Sequence, residues 1–94
     1  MRAENVLSPK DRVRGLRVIF TDPDGGWSIA EMEWRDYDGE WRWRIGMRWD
    51  GAEDELGNPQ SSGHPTWFLV PEGEISRMIS EYGEGLAQQP GRNA

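Results

Sequence analysis

WSIAEMEWRDYDGEWRWRIGMRW, residues 27–49, places two alternating segments around one turn, and its reading decides the fold. Residues 27–35 and 40–49 put aromatic or aliphatic side chains at every second position, the period of a β-strand. Asp38-Gly39 between them is a signal for a two-residue type I′ loop, whose central residues both need positive φ. Such a loop pairs Trp34 with Trp43, Met32 with Ile45 and Ala30 with Met47. It sets Glu33 against Arg44 on the opposite face.

Upstream, TDPDGG (residues 21–26) is a second turn, because proline presets φ and glycine accepts positive values. The β-branched stretch VRGLRVIFT before it, starting at Val13, reads as another strand. Pairing Thr21 with Trp27 aligns Val18 with Ala30 and Leu16 with Met32, and puts Arg17 beside Glu31. The two registers come from separate turns and agree on one apolar side of the middle strand, although a one-residue slip exchanges the faces of a strand. The expected inner face carries Leu16, Val18, Phe20, Ala30, Met32, Trp34, Trp43, Ile45 and Met47. Arg17, Glu31, Glu33, Arg44 and Arg48 fall outside, together with Ile19, Trp27 and Ile29.

Downstream, DGAEDELGNPQSSGHP (residues 50–65) is a loop longer than compact domains usually tolerate without a purpose. PTWFLVP (65–71) is a short strand bounded by prolines, which suits an edge or an end beside the first or the third strand. In EGEISRMISEYG, Ile75, Met78, Ile79 and Tyr82 recur at helical spacing, with Pro71 suited to the first position and Gly83 to the stop. The expected fold is α+β: an antiparallel four-stranded sheet, made of a three-strand meander plus a short fourth strand, with one C-terminal helix packed on the inner face. Residues 1–12 read as a flexible lead-in, 13–83 as a single domain and 84–94 as a flexible tail.

Composition removes several functions. The formal net charge of −6 opposes duplex nucleic acid, which needs a surplus of Lys and Arg. The absence of cysteine removes thiolate metal sites, disulfides and thiol catalysis. No apolar run approaches membrane-spanning length, and the polar N-terminus lacks the core of a signal peptide, so a cytoplasmic setting is the default expectation. DPDGG and DGAEDE lack the carboxylate spacing of a Ca²⁺ loop, and no metal or cofactor is expected.

The tryptophan-rich third strand reads first as core, but one short helix cannot cover six tryptophans. His64, the single histidine, sits near Ser61 and Ser62 and after the acids of the loop. A Ser/His/Asp set can be drawn there, yet no nucleophile turn surrounds either serine. No catalytic residue is assigned. The two acidic turns are expected at the same end of the sheet, which makes a negative patch beside Trp27 and Trp49. The candidate binding residues are therefore Trp27, Trp49, Asp50, His64 and Trp67. They suit another protein, a second copy docking on the face of Ile19, Trp27 and Ile29, or a cationic small molecule in a tryptophan-lined pocket beside the 50–65 loop. An enzyme using His64 with loop carboxylates is the less favoured alternative.

The run RWDGAEDELGNPQSSGHPTWFLVP (48–71) resembles an uncharacterised family of small bacterial proteins, often carried on mobile elements. There an RW-x-G turn, a G-x-P-x-S loop and a PTWF strand occur together. The resemblance covers about a quarter of the chain and implies no activity. It implies that the loop with its flanking Trp49 and Trp67 is the shared feature.

Overall fold

A computed structural model describes residues 1–89 of the chain. A short 3₁₀ turn, Ala3–Asn5, precedes the strands β1 (Val13–Asp22), β2 (Trp27–Arg35) and β3 (Trp41–Trp49). The two-residue strands β4 (Gln60–Ser61), β5 (His64–Pro65) and β6 (Phe68–Leu69) follow, and then the helix α1 (Glu74–Ala87). β1, β2, β3 and β6 form one antiparallel sheet in that order, while β4 and β5 make a separate hairpin inside the 50–65 loop. The fold is α+β with a C-terminal helix on one face of the sheet. The fourth strand pairs with β3, through Gly46–Leu69 and Met47–Phe68.

The β2–β3 register is one residue away from the expected one. Trp34 faces Arg42, Met32 faces Arg44, Ala30 faces Gly46 and Ile29 faces Met47. The cause lies in the turn. Asp36 donates its N–H to Glu40 O and accepts one from Gly39 N, so the loop has three residues, Tyr37 to Gly39. Gly39, at φ +86°, supplies the left-handed residue that follows a type I turn in such loops. Asp38 fixes this geometry by accepting from Glu40 N at 2.9 Å and from both Arg42 terminal nitrogens.

Those two contacts, Arg42 first and the Glu40 amide second, lower the Asp38 pKa to about 2 from an ordinary 3.8. A depressed carboxyl contributes its stability in full above 3.8, and the contribution fades as pH falls towards 2. Carbon-detected NMR of the Asp38 carboxyl is expected to show that low midpoint. A midpoint at the ordinary value means that the turn is not held by Arg42.

β1 carries two bulges. Gly15 (φ +62°) and Leu16 together oppose Met32, and an extra residue at Ile19 shifts the pairing again before Phe20 meets Ile29. The expected pairs Arg17–Glu31 and Val18–Ala30 are present between them. The bulges let Ile19 and Phe20, neighbours in sequence, both enter the same core.

The slip and the bulges divide the apolar residues between two faces, and both faces are covered. α1 packs on Ile19 and Ile29, expected outside, and on Phe20 and Ile45, expected inside, through Ile79, Leu86 and Ala87. Gly83 is not a stop but a close approach, since a Cβ there meets Ile19 at 3.0 Å and Ile29 at 3.1 Å. Helix α1 begins after Gly73, past Pro71, and runs through residues 84–87 of the expected tail. The rest of that tail, from residue 90, lies outside the described residues.

The opposite face carries Val18, Ala30, Met32 and Trp34 and is closed by Trp67 and the N-terminal segment. Residues 1–12 are therefore not a loose lead-in. Ala3 and Val6 are fully buried, Trp67 Nε1 donates to Val6 O at 2.9 Å, and Thr66 Oγ1 donates to Ser8 O at 2.9 Å. Trp67 lies directly on Gly46, where an added Cβ meets it at 3.0 Å and Met32 at 2.8 Å.

Candidate functional site

The helix is narrower than the sheet it covers. Ile79, Gly83 and Leu86 point down into the core, and one flank of α1 (Ser76, Arg77, Ser80) borders a cleft over Glu31, Arg42 and Trp43. Positions 75, 78 and 82 lie on the other flank by helical geometry. Ile75, Met78 and Tyr82 are 51%, 61% and 60% exposed, so three of the four residues expected to pack are on the surface. This flank is turned away from the cleft over Glu31 and Trp43. Trp27 and Trp49 lie at the other ends of β2 and β3.

There the sheet forms an aromatic shelf. Trp27 pairs with Trp49 and Met47 pairs with Phe68, and cross-strand partners share a face, so all four project on the helix side. Trp49 and Phe68 are 62% and 60% exposed. With Asn58 and Pro59 they bound a groove of about 550 Å³, within the range of about 300–1,000 Å³ typical of ligand sites. Trp27 is braced from behind by Phe20, with ring centroids 5.4 Å apart.

The wall made by Asn58 and Pro59 is set by a buried polar network on the other side of β3. Asn58 is pinned to Trp49 by two backbone hydrogen bonds of 2.8 Å. The Arg48 side chain is fully buried, and burial pushes its pKa down while Asp50 opposes that shift. Arg48 donates to Asp50 at 3.2 Å, to Thr66 O at 2.5 Å and to Leu56 O. Asp50 also accepts from Ser28 Oγ at 2.5 Å, and Ser28 is in contact with Thr21 Oγ1. The network thus ties the 50–58 loop to β1, β2 and β3. Gly57, at φ +67°, passes too close to Arg48 and the Trp49 carbonyl for any side chain.

Asp50 N also donates to Gly26 O at 2.6 Å, which brings the two acidic turns together beside Trp27 and Trp49, as the sequence implies. The five expected binding residues separate. Trp27 and Trp49 line the groove. Asp50 is buried beneath it as the counter-ion of Arg48 and is not open to a ligand. Trp67 is 4% exposed and belongs to the opposite core. His64 is exposed beside Ser8, Lys10, Ser61 and Ser62, and no described residue hydrogen-bonds its ring. Phe68, Met47, Asn58 and Pro59 were missed. The alternation of Trp67-Phe68 already implied that one of the pair faces out.

Among the described residues no cluster of His, Cys, Asp and Glu has the arrangement of a metal site, and no helix is long and apolar enough to cross a membrane. No family model, no curated protein and no solved structure matches the chain.

Proposed function

We propose that this protein is a non-enzymatic interaction module that docks a partner through the aromatic groove of Trp27, Met47, Trp49 and Phe68. The observation carrying this reading is the exposure of Trp49 and Phe68 on the sheet, where they line an apolar groove. Exposed apolar surface on this scale marks binding sites rather than solvent-facing structure. Large aromatic side chains are also the usual anchors of protein interfaces. The 48–71 run that resembles small bacterial proteins supplies Trp49, Asn58, Pro59 and Phe68, so the shared segment and the groove coincide. Self-association through Ile19 and Ile29 is closed, because α1 occupies that face.

A second reading, a small-molecule binder in the same groove, is favoured by its volume. Both readings place apolar ligand atoms against Trp49 and Phe68. Titration with neutral N-phenylnaphthylamine is expected to raise the probe's fluorescence. Trp49→Ser with Phe68→Ser is expected to abolish the rise while circular dichroism stays unchanged. No rise with the native protein, or an equal rise with the variant, contradicts the groove as a binding surface.

A further inference from the structure

We infer that the groove's occupant is a basic amphipathic helical segment of another protein, laid alongside α1; this rests on the groove being a docking site. The shape comes first. The shelf of Trp27, Met47, Trp49 and Phe68 forms a floor, and Ile75, Met78 and Tyr82 stand exposed on the flank of α1 opposite the Ser76–Ser80 cleft. These helix residues span two helical turns, about 10 Å along the axis. An apolar shelf and an exposed apolar helix flank suit a second helix packed beside the first at the usual separation of about 8–10 Å. Recognition of this type reads apolar anchors at helical spacing.

Charge decides which segment. Nearly every arginine in the described residues is already committed. Arg14, Arg17, Arg42, Arg44, Arg48 and Arg77 each pair with a carboxylate of the same chain. Four acids are not. Glu53 and Asp54 extend from the loop after Trp49 and Asp24 from the turn before Trp27, and Glu81 rises beside Tyr82 on α1. All four are exposed, and no described residue forms an ion pair with them. Unpaired negative charge therefore stands on both turns that flank Trp27 and Trp49 in sequence and on α1. A segment with an apolar face and Lys or Arg on its flanks matches the shelf, the exposed helix flank and these acids together. A second copy of this chain brings another −6 and opposes itself.

The test uses the full chain and two peptides of 14 residues, the length of α1. One places Leu and Trp on one helical face and Lys elsewhere; the other carries Glu at each Lys position. Calorimetry at low salt is expected to give at least about tenfold tighter binding of the Lys peptide (about 1.4 kcal/mol), with the difference shrinking as salt rises. Trp49→Ala with Phe68→Ala is expected to remove binding. Glu53→Lys with Asp54→Lys is expected to weaken it without changing the fold. Equal affinity for both peptides, lost on Trp49→Ala with Phe68→Ala, overturns the basic partner and leaves the groove reading standing. Lys-peptide binding that ignores those two substitutions overturns the inference, because charge alone then explains it. Binding of neither peptide overturns it too, and the N-phenylnaphthylamine titration separately decides the groove. A stable dimer in light scattering that Trp49→Ala with Phe68→Ala dissociates replaces the basic segment with a second copy.

Discussion

Asp50→Ala is expected to lower the free energy of unfolding by about 3–5 kcal/mol, the range for breaking a buried ion pair from one side. The Arg48 side chain has no exposed surface, and Asp50 is its only charged partner among the described residues. Removing the carboxylate strands a guanidinium in the dry layer under the loop and also leaves Ser28 without its short hydrogen bond. The total stability of a domain this size is about 5–15 kcal/mol, so the variant approaches the limit of folding. Urea denaturation followed by tryptophan emission reads the loss. Adding Arg48→Met to Asp50→Ala is expected to return more than half of it, since the stranded charge and not the missing acid carries most of the cost. A loss under about 1 kcal/mol for Asp50→Ala, or no recovery in the double variant, means that water reaches Arg48 and that the 50–58 loop is not anchored by this pair.

Trp67→Ala is expected to cost a similar amount, about 3–5 kcal/mol, as for other large-to-small core changes. Trp67 fills the space between Gly46, Met32 and the N-terminal turn, and its indole nitrogen satisfies the Val6 carbonyl. The variant leaves a cavity lined by Ala3, Val6, Val13, Ala30 and Met32 and releases the segment that closes it. Faster amide exchange and earlier proteolysis within residues 1–9 are expected to accompany the loss. Trp67→Phe keeps most of the volume and is expected to lose much less. If Trp67→Ala unfolds at native denaturant concentrations, or if residues 1–9 exchange as fast in the native protein, the N-terminal segment is not part of the core.

The two predictions concern opposite sides of β3, which is where sequence and structure part. The meander, the strand limits and the apolar identity of Ala30, Met32, Ile45 and Ile79 are legible, because alternation and helical spacing are local signals. The side on which each residue lies is not. Asp38-Gly39 fits a two-residue loop as well as it fits the end of a three-residue one, and the choice moves every β3 side chain to the other face. Gly15 and Ile19 read as ordinary strand residues, although each marks a bulge. Ala3 and Val6 carry no period in a polar stretch, so only their partner Trp67, distant in sequence, identifies them as core.

The candidate site divides along the same line. That Trp27, Trp49 and two acidic turns share one end of the sheet follows from strand pairing, which either register preserves. That Arg48 turns inward and captures Asp50 depends on the register itself. Phe68 depends on which edge receives β6, and its pairing with Met47 is what places it in the groove. The exposed flank of α1 is the least legible part. Ile75, Met78, Ile79 and Tyr82 make a convincing core stripe on paper, and the helix rolls so that Ile79, Gly83 and Leu86 pack instead. Gly83 makes that roll favourable by letting the backbone approach Ile19 and Ile29 closely.

The most direct measurement is fluorine NMR of the chain labelled with fluorotryptophan at all six positions, read with a soluble paramagnetic relaxer before and after addition of the Lys peptide. Trp43 and Trp49 should broaden strongly in the free protein and Trp67 not at all. The peptide should then protect Trp49 and shift Trp27 while Trp43 stays open. Protection of Trp43 in place of Trp49, or a Trp67 signal that broadens from the start, contradicts a docking groove built on this sheet.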